Sequence, residues 1–404
     1  MKKLLIILIA GFISMTGIQA QFGCSFNPAT EEWVAADGGP CVNTIITAVP
    51  FLRIVPDARS GGMGDVGLAI SADPNAMHFN ASKLAFAEKD FALSATYTPW
   101  LRALGLNDVY MAYLSGYKQL DDLAALGFGL RYFSLGTISF TDINGESLGT
   151  GKPNEVELSV AYSRKLSEKF ATALTLKYVH SNLASGQQID NIEIRPANAG
   201  AADISFTYKT PVEFTEKESD FTLGVALTNL GTKISYTNSI NRDFMPANLG
   251  VGAAWTINFD KFNALTFAAD LNKLLVPTPC VGTDCDEDGN GVLDYKEQGV
   301  VSSIFSSFSD APNGGSEELR ELAFSFGAEY WYDQQFAVRL GYYYEDATKG
   351  NRKFFTVGLG LKYNIFGLNF SYLIPTTNQR NPLDNTLRFS LLFDFAAFDG
   401  DGVQ

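Results

Sequence analysis

From about residue 91 onward the chain alternates apolar and polar side chains with a period of two. Val156, Leu158, Val160 and Tyr162 oppose Glu155, Glu157, Ser159 and Ser163. Successive side chains of a strand point to opposite faces, so this spacing predicts a strand with one apolar and one polar side. The pattern begins with Phe91, Leu93, Ala95 and Tyr97 and ends with Leu387, Phe389, Leu391, Phe393 and Phe395. It recurs about fourteen times, an even number, as a closed bacterial barrel requires.

Alternation alone also fits a soluble sandwich. Three features favour a membrane. The strands run roughly nine to eleven residues, enough to cross at a tilt. Their apolar faces end in Tyr, Trp or Phe, as an aromatic girdle does. Their other faces carry small residues and charges of both signs, among them Arg131, Lys177, Asp270, Glu329, Arg339, Lys362 and Asp394. A sandwich core would not take such charges unpaired, whereas a polar lumen would. Connection lengths agree: short turns such as 118–123 and 167–169 alternate with long loops such as 98–108, 136–154 and 345–353. Only 209–220 is long for a periplasmic turn. The expected fold is an all-β, antiparallel transmembrane barrel over 88–396, with the insertion 272–319 outside and a periplasmic tail at 397–404. This reading starts the chain in the periplasm and assigns the barrel to the outer membrane of a Gram-negative cell.

The stretch 51–87 precedes the first strand. It contains Gly61, Gly62, Gly64 and Gly67 and the block Asp73-Pro-Asn-Ala-Met-His-Phe-Asn80. So many small residues let backbone pack against backbone. The stretch is expected to plug the lumen, with a short helix near Ala81–Ala87. Residues 21–50 have no periodicity, and low order is expected there. Residues 1–20 read as a signal peptide: Met1-Lys2-Lys3, an apolar run from Leu4 to Ile13, and a small residue at Ala20. Ten apolar residues are too few to span roughly 30 Å of hydrocarbon. A lipoprotein signal is the other alternative, since Cys24 follows Gly23, but Gln21 and Phe22 suit it poorly.

Net charge is −14, which argues against a nucleic-acid partner. Four cysteines allow three pairings. Local pairs, Cys24 with Cys41 and Cys280 with Cys285, are preferred because the two clusters lie far apart; free thiols are the alternative. One motif carries chemistry by itself. Residues 286–297 match D-x-[DN]-x-[DN]-G-x₅-E throughout. Asp286, Asp288 and Asn290 aim oxygens into one turn, Gly291 bends it, and Val292 offers a carbonyl. Asp294 reaches the site directly or through water, and Glu297 closes it with two oxygens. A structural Ca2+ is expected there; the alternative is an acidic, solvated loop. An enzyme is not expected. Of the two histidines, His180 adjoins Ser181, but adjacent strand residues point to opposite faces, and His78 in the opening stretch is expected to pack or hydrogen-bond there.

The Gly61–Gly64 run, the 73–80 block and the fourteen-strand pattern resemble FadL-type barrels. Within them, the block FLRIVPDARSGGMGD (51–65) is most similar to the PorV-like outer-membrane subunits of the type IX secretion system. That resemblance implies a shuttle with no chemistry of its own. It would sit in membrane lipid and lipopolysaccharide (LPS) beside a large translocon barrel. Secreted cargo would be received through its C-terminal signal domain and passed to a cell-surface attachment complex. Outer loops would grip the cargo, and Trp100, Leu101, Leu104 and Leu106 form an apolar cluster suited to this; an aromatic-belt loop resting in headgroups is the alternative. A FadL-type channel for hydrophobic small molecules is the alternative function. FadL-type barrels often have Asn-Pro-Ala where this chain has Asn80-Ala81-Ser82, which argues against a fatty-acid gate.

Overall fold

Alternation becomes geometry in a computed structural model, which describes residues 24–377 and 385–395 apart from 31, 36–38, 102–104, 142–143, 145, 185, 190–191, 215–216, 238–241 and 283–284. The signal peptide, the tail and Leu104 lie outside the described residues. Fourteen strands form the wall: β1 (Phe91–Pro99), β2 (Val109–Gln119), β3 (Ala124–Leu135), β4 (Asn154–Lys165), β5 (Phe170–Asn182), β6 (Ala197–Phe214) and β7 (Lys217–Gly231), then β8 (Asn248–Asn258), β9 (Asn263–Leu274), β10 (Ala323–Tyr332), β11 (Phe336–Tyr344), β12 (Lys353–Tyr363), β13 (Phe366–Pro375) and β14 (Leu387–Phe395). Each pairs antiparallel with its sequence neighbours, and β14 pairs back onto β1, so the sheet is a closed barrel. Among the described residues no helix is long and apolar enough to cross a membrane. The wall crosses instead, with every ladder closed on itself.

The polarity of the wall is that of a membrane barrel. On β4, Glu155, Glu157 and Ser159 are buried, while Leu158, Val160 and Tyr162 are exposed. Exposed aromatics such as Tyr97, Tyr178, Tyr330, Tyr332 and Tyr363 lie toward the strand ends. The long connections and the short turns fall at opposite ends, which makes the loop end the cell exterior. The exception at 209–220 disappears. β6 pairs with β5 only as far as Tyr208, yet pairs with β7 down to Phe214↔Lys217. What reads as a long turn is a two-stranded ribbon projecting past the wall, with Lys209 and Asp220 bridged across it at 3.2 Å.

Residues 51–87 lie against the inward faces of the wall. They run as a 3-10 turn at Pro50–Arg53, short helices α1 (Ala58–Gly61) and α2 (Ala76–Phe79), and a second 3-10 turn at Ala81–Phe86. Phe51 and Leu52 pack on Trp100, Val109, Met111 and Phe133 near the loop end. Ala76, Met77 and Leu84 pack on Tyr117, Ala125, Ala161 and Ala173 near the turn end. The chain therefore threads the barrel from the exterior end to the periplasmic end before β1 starts. The described N-terminal residues sit outside, which corrects the expected start in the periplasm. Close backbone approach makes this possible. Gly64, at φ +70°, faces the backbone of β11, and a Cβ on it would meet the Tyr342 nitrogen at 2.5 Å. Gly341 opposite is equally crowded by Gly64.

Charge ties plug to wall. Arg59 donates to Glu329 through Nε and Nη2 at 3.0 and 2.7 Å, and to Asp73 at 2.9 Å. Arg339 of β11 donates to the same Glu329 at 2.6 Å. Asp270 accepts from the backbone N–H groups of Gly67 and Leu68. Arg131 donates to the Phe51 carbonyl at 3.0 Å, and Asn80 to Leu68 O and Thr207 Oγ1. A buried charge left alone is far more costly than a buried pair. Glu329→Ala would leave Arg339 without its carboxylate and Arg59 with Asp73 alone. It is expected to destabilise the plug by about 3–5 kcal/mol, read as a lower urea midpoint and lost hydrogen-exchange protection over 57–73. Lys209→Ala, breaking the half-exposed pair of the ribbon, should shift stability by less than about 1 kcal/mol.

Candidate functional site

The residues singled out for function gather at the loop end. The segment 39–50, for which low order was expected, is packed there. It has no periodicity because it is held contact by contact rather than as a regular element. The Cys24–Cys41 disulfide closes its start, next to a small ribbon of Cys24–Asn27 against Glu32–Ala35. Buried Asn43 donates through Nδ2 to the Pro279 carbonyl at 2.8 Å and to Glu317 at 3.3 Å. Ile45 packs with Phe244, Leu274 and Val276. Trp33 accepts and donates through its backbone to Asn313, and its ring covers Gly282, where a Cβ would lie 2.6 Å from it. N-terminal strap and insertion thus form one cap.

The insertion carries helices α3 (Asp294–Glu297), α4 (Val300–Ser306) and α5 (Gly315–Arg320). Cys280 and Cys285 are joined just before the acidic loop. Backbone and side chains wind that loop into a turn. The Asn290 N–H reaches Asp286 and Asp288 at 3.1 Å each, and Gly291 N–H reaches Asp286 at 2.9 Å. Asn290 Nδ2 donates to Glu297 Oε1 at 2.8 Å, tying the middle of the motif to its last residue. Gly289 and Gly291 take φ +68° and +82°, the left-handed bends such a turn needs. Val292 tucks its side chain inward, and Asp294 N–H closes onto the Cys285 carbonyl at 2.9 Å. One carboxylate oxygen from each of Asp286, Asp288 and Asp294 lies within 4.8 Å of the others. Three like charges this close favour a cation among them.

The apolar cluster of the first long loop is placed differently from expectation. Trp100 is buried, edge-on to Phe133 at 5.1 Å, with Phe51 and Leu52 beside it. Leu101 packs against the same cluster. Only Leu106 of the described members is exposed. The reason is parity: Trp100 continues the even-numbered, inward face of β1 (Ser94, Thr96, Thr98), and its N–H extends the ladder to the Val109 carbonyl. That signal was present in the sequence.

Neither histidine sits in a reactive constellation. His78 is 2.7 Å from the Arg131 guanidinium and edge-on to Phe79. His180 bonds Asn198 on the outer side, while Ser181 faces inward to Glu155. Between plug and cap is a cavity of about 120 Å³ with a mixed lining that includes Leu52, Arg53, Asp65, Lys177, Glu345 and Arg352. The plug's ionic partners were missed by sequence reasoning. The inward charges were visible on the strands, but nothing local says that Arg59 reaches a residue 270 positions away.

Comparison with known proteins places this architecture. A family model described as Type IX secretion system protein PorV matches residues 40–281, more than half of the chain. Solved structures that resemble it include a TodX deltaS2S3 mutant monoaromatic hydrocarbon channel, 12% identical, covering 84% of this chain and 99% of its own, with a TM-score of 0.48. The Ralstonia pickettii toluene transporter TbuX is 12% identical, with coverages of 84% and 98% and a TM-score of 0.45. A Pseudomonas aeruginosa FadL homologue is 12% identical, with coverages of 87% and 99% and a TM-score of 0.41. No curated protein sequence matches significantly.

One titratable group of the cap gives a test of its packing. Burial pushes the Asp310 carboxyl up to about 6, Glu318 adds to the rise, and hydrogen bonding with Thr278 opposes it. The folded state thus holds this proton more tightly than the unfolded chain. Stability is highest below the unfolded value near 4 and is lost as pH rises to about 6. Asp310→Asn should remove that dependence: protection factors over 275–322 will differ between pH 4.5 and 7.5 in the parent and converge in the variant.

Proposed function

This chain belongs to the family of the type IX secretion system protein PorV, and from that premise we propose how the barrel works. It is an outer-membrane shuttle of that system. It receives secreted cargo by the C-terminal signal domain beside a large translocon barrel. It then passes the cargo to a cell-surface attachment complex. The working surface is the exterior loop end, including Leu106, and the barrel performs no chemistry of its own.

The observation that carries this reading is the filled lumen. A channel for hydrophobic molecules needs a continuous apolar pocket, and ligand pockets typically run about 300–1,000 Å³. The cavity between plug and cap is about 120 Å³ and is lined in part by Arg53, Asp65, Lys177, Glu345 and Arg352; an apolar hollow of about 830 Å³ is bordered by Phe267, Phe326, Leu340 and Phe355, which are exposed on the lipid-facing side of the wall, outside the lumen. Ion pairs and backbone hydrogen bonds hold the plug across the barrel on several sides. Affinity capture of the tagged protein from gently solubilised outer membrane is the test. Recovery of a very large barrel together with proteins sharing a C-terminal β-domain is expected. Recovery of the barrel alone with bound fatty acid or another lipid would favour the hydrophobic channel instead.

The acidic loop is read as a structural Ca2+ site built from Asp286, Asp288, Asn290, the Val292 carbonyl, Asp294 and Glu297. The convergence of three carboxylates supports it. Ca2+ supplies the positive charge that lets them share one turn, and the disulfide beside them restrains the entrance. Calorimetry is expected to give an affinity on the order of 10⁻⁴ to 10⁻³ M. Glu297→Gln should weaken it by roughly tenfold or more through loss of a charged ligand. Absence of both binding heat and added protection at 286–297 would sink the site.

A further inference from the structure

Helix α4 packs Val300 on the cluster of Ile45, Phe244, Leu274 and Val276, yet it leaves other apolar side chains uncovered. Its buried positions are serines: Ser303, and Ser307 just past its end. Its exposed apolar positions are Val301 at 70% and Phe305 at 73%, with Phe308 at 49% just past its end; Ser302 is exposed as well. The spacing i, i+4, i+7 aligns them on one helix face. Leu319 on α5 adds a fourth exposed apolar side chain to the same insertion. An apolar stripe turned away from its own protein points to an occupant outside the chain.

The outer face of the barrel indicates which. Lys273 pairs with Leu249 and shares the parity of Phe267 and Leu271, so it stands on the lipid-facing side of β9. It is nevertheless buried. Its ammonium is held by Glu318 at 3.0 Å and Glu321 at 2.6 Å, and lies 5.7 Å from the centre of the Phe308 ring. The insertion therefore meets the wall at the rim, beside this outward-facing lysine, while Glu321 also reaches Lys349 at 3.0 Å under the cap. Phe308, the last residue of the stripe, lies beside this lipid-side lysine. Both glutamates hold the lysine there, so its ammonium does not face hydrocarbon unpaired.

We propose that Val301, Phe305 and Phe308, with Leu319, form a membrane foot. They bed in the boundary between headgroups and acyl chains of the outer leaflet, as interfacial amphipathic helices do. The foot continues the barrel's lipid-facing surface upward and fixes the cap against the membrane.

All four cysteines of the chain are disulfide-bonded, so a single introduced thiol can be labelled. Phe305→Cys in the full-length chain, carrying a nitroxide, would be reconstituted into phospholipid vesicles. Power-saturation EPR would compare access by oxygen and by a water-soluble nickel chelate. Val357→Cys on the lipid-facing wall and Leu148→Cys in the exposed 138–151 ribbon supply the references. The label at 305 is expected to match 357, with an oxygen-to-nickel access ratio several-fold above that at 148; Val301→Cys should agree. Saturation like that at 148 would overturn the foot, since the stripe would then face water. Exclusion of both reagents would also overturn it, since protein would then cover the stripe.

Discussion

In hydrocarbon no backbone N–H or C=O group can go without a partner, because no water is there to take its place. That constraint closes this sheet. Once β14 pairs with β1, no edge remains in the wall. Closure also commits each strand to one inside and one outside face. The outside faces take lipid, so leucine, valine and phenylalanine are exposed without penalty. The inside faces must then be filled, and the segment before β1 fills them.

Filling a polar lumen with protein creates a second constraint. Arg59, Arg131, Lys177, Arg339 and Arg388 are buried, as are Asp203, Asp270 and Glu329. Each is compensated by a neighbour of opposite sign or by backbone groups. Glu329 receives Arg59 from the plug and Arg339 from the wall. Lys177 meets Asp203 at 2.7 Å, and Arg388 holds the Val55 carbonyl at 3.2 Å. The glycine-rich run lets the plug backbone come near enough for such short bonds. A lumen organised this way has its charged groups engaged with one another and with the backbone.

The cap has its own internal logic. Two cysteine pairs restrain short loops, and Trp33 over Gly282 brings the two restrained regions together. Lys349 draws Glu317 and Glu321 inward at the rim. The cap is therefore joined to the wall by ion pairs and to the plug by continuous chain.

Sequence alone determined the fold class. A period of two, the even number of segments, charges on the inward faces and alternating connection lengths are all local patterns, and each follows from how a strand presents its side chains. The acidic turn was legible for the same reason: its donors and bends lie within twelve residues. The inward turn of Trp100 was legible too, had its parity with Thr96 and Thr98 been followed past the strand end. Only the tertiary structure decided where the N-terminal strap goes, which charges pair across the lumen, and that the insertion meets the wall at Lys273. Those contacts join residues tens to hundreds of positions apart, and short-range periodicity carries no information about such distances. They arise because closure brings distant strands to one lumen and one rim, where buried charge and unpaired backbone select the partners.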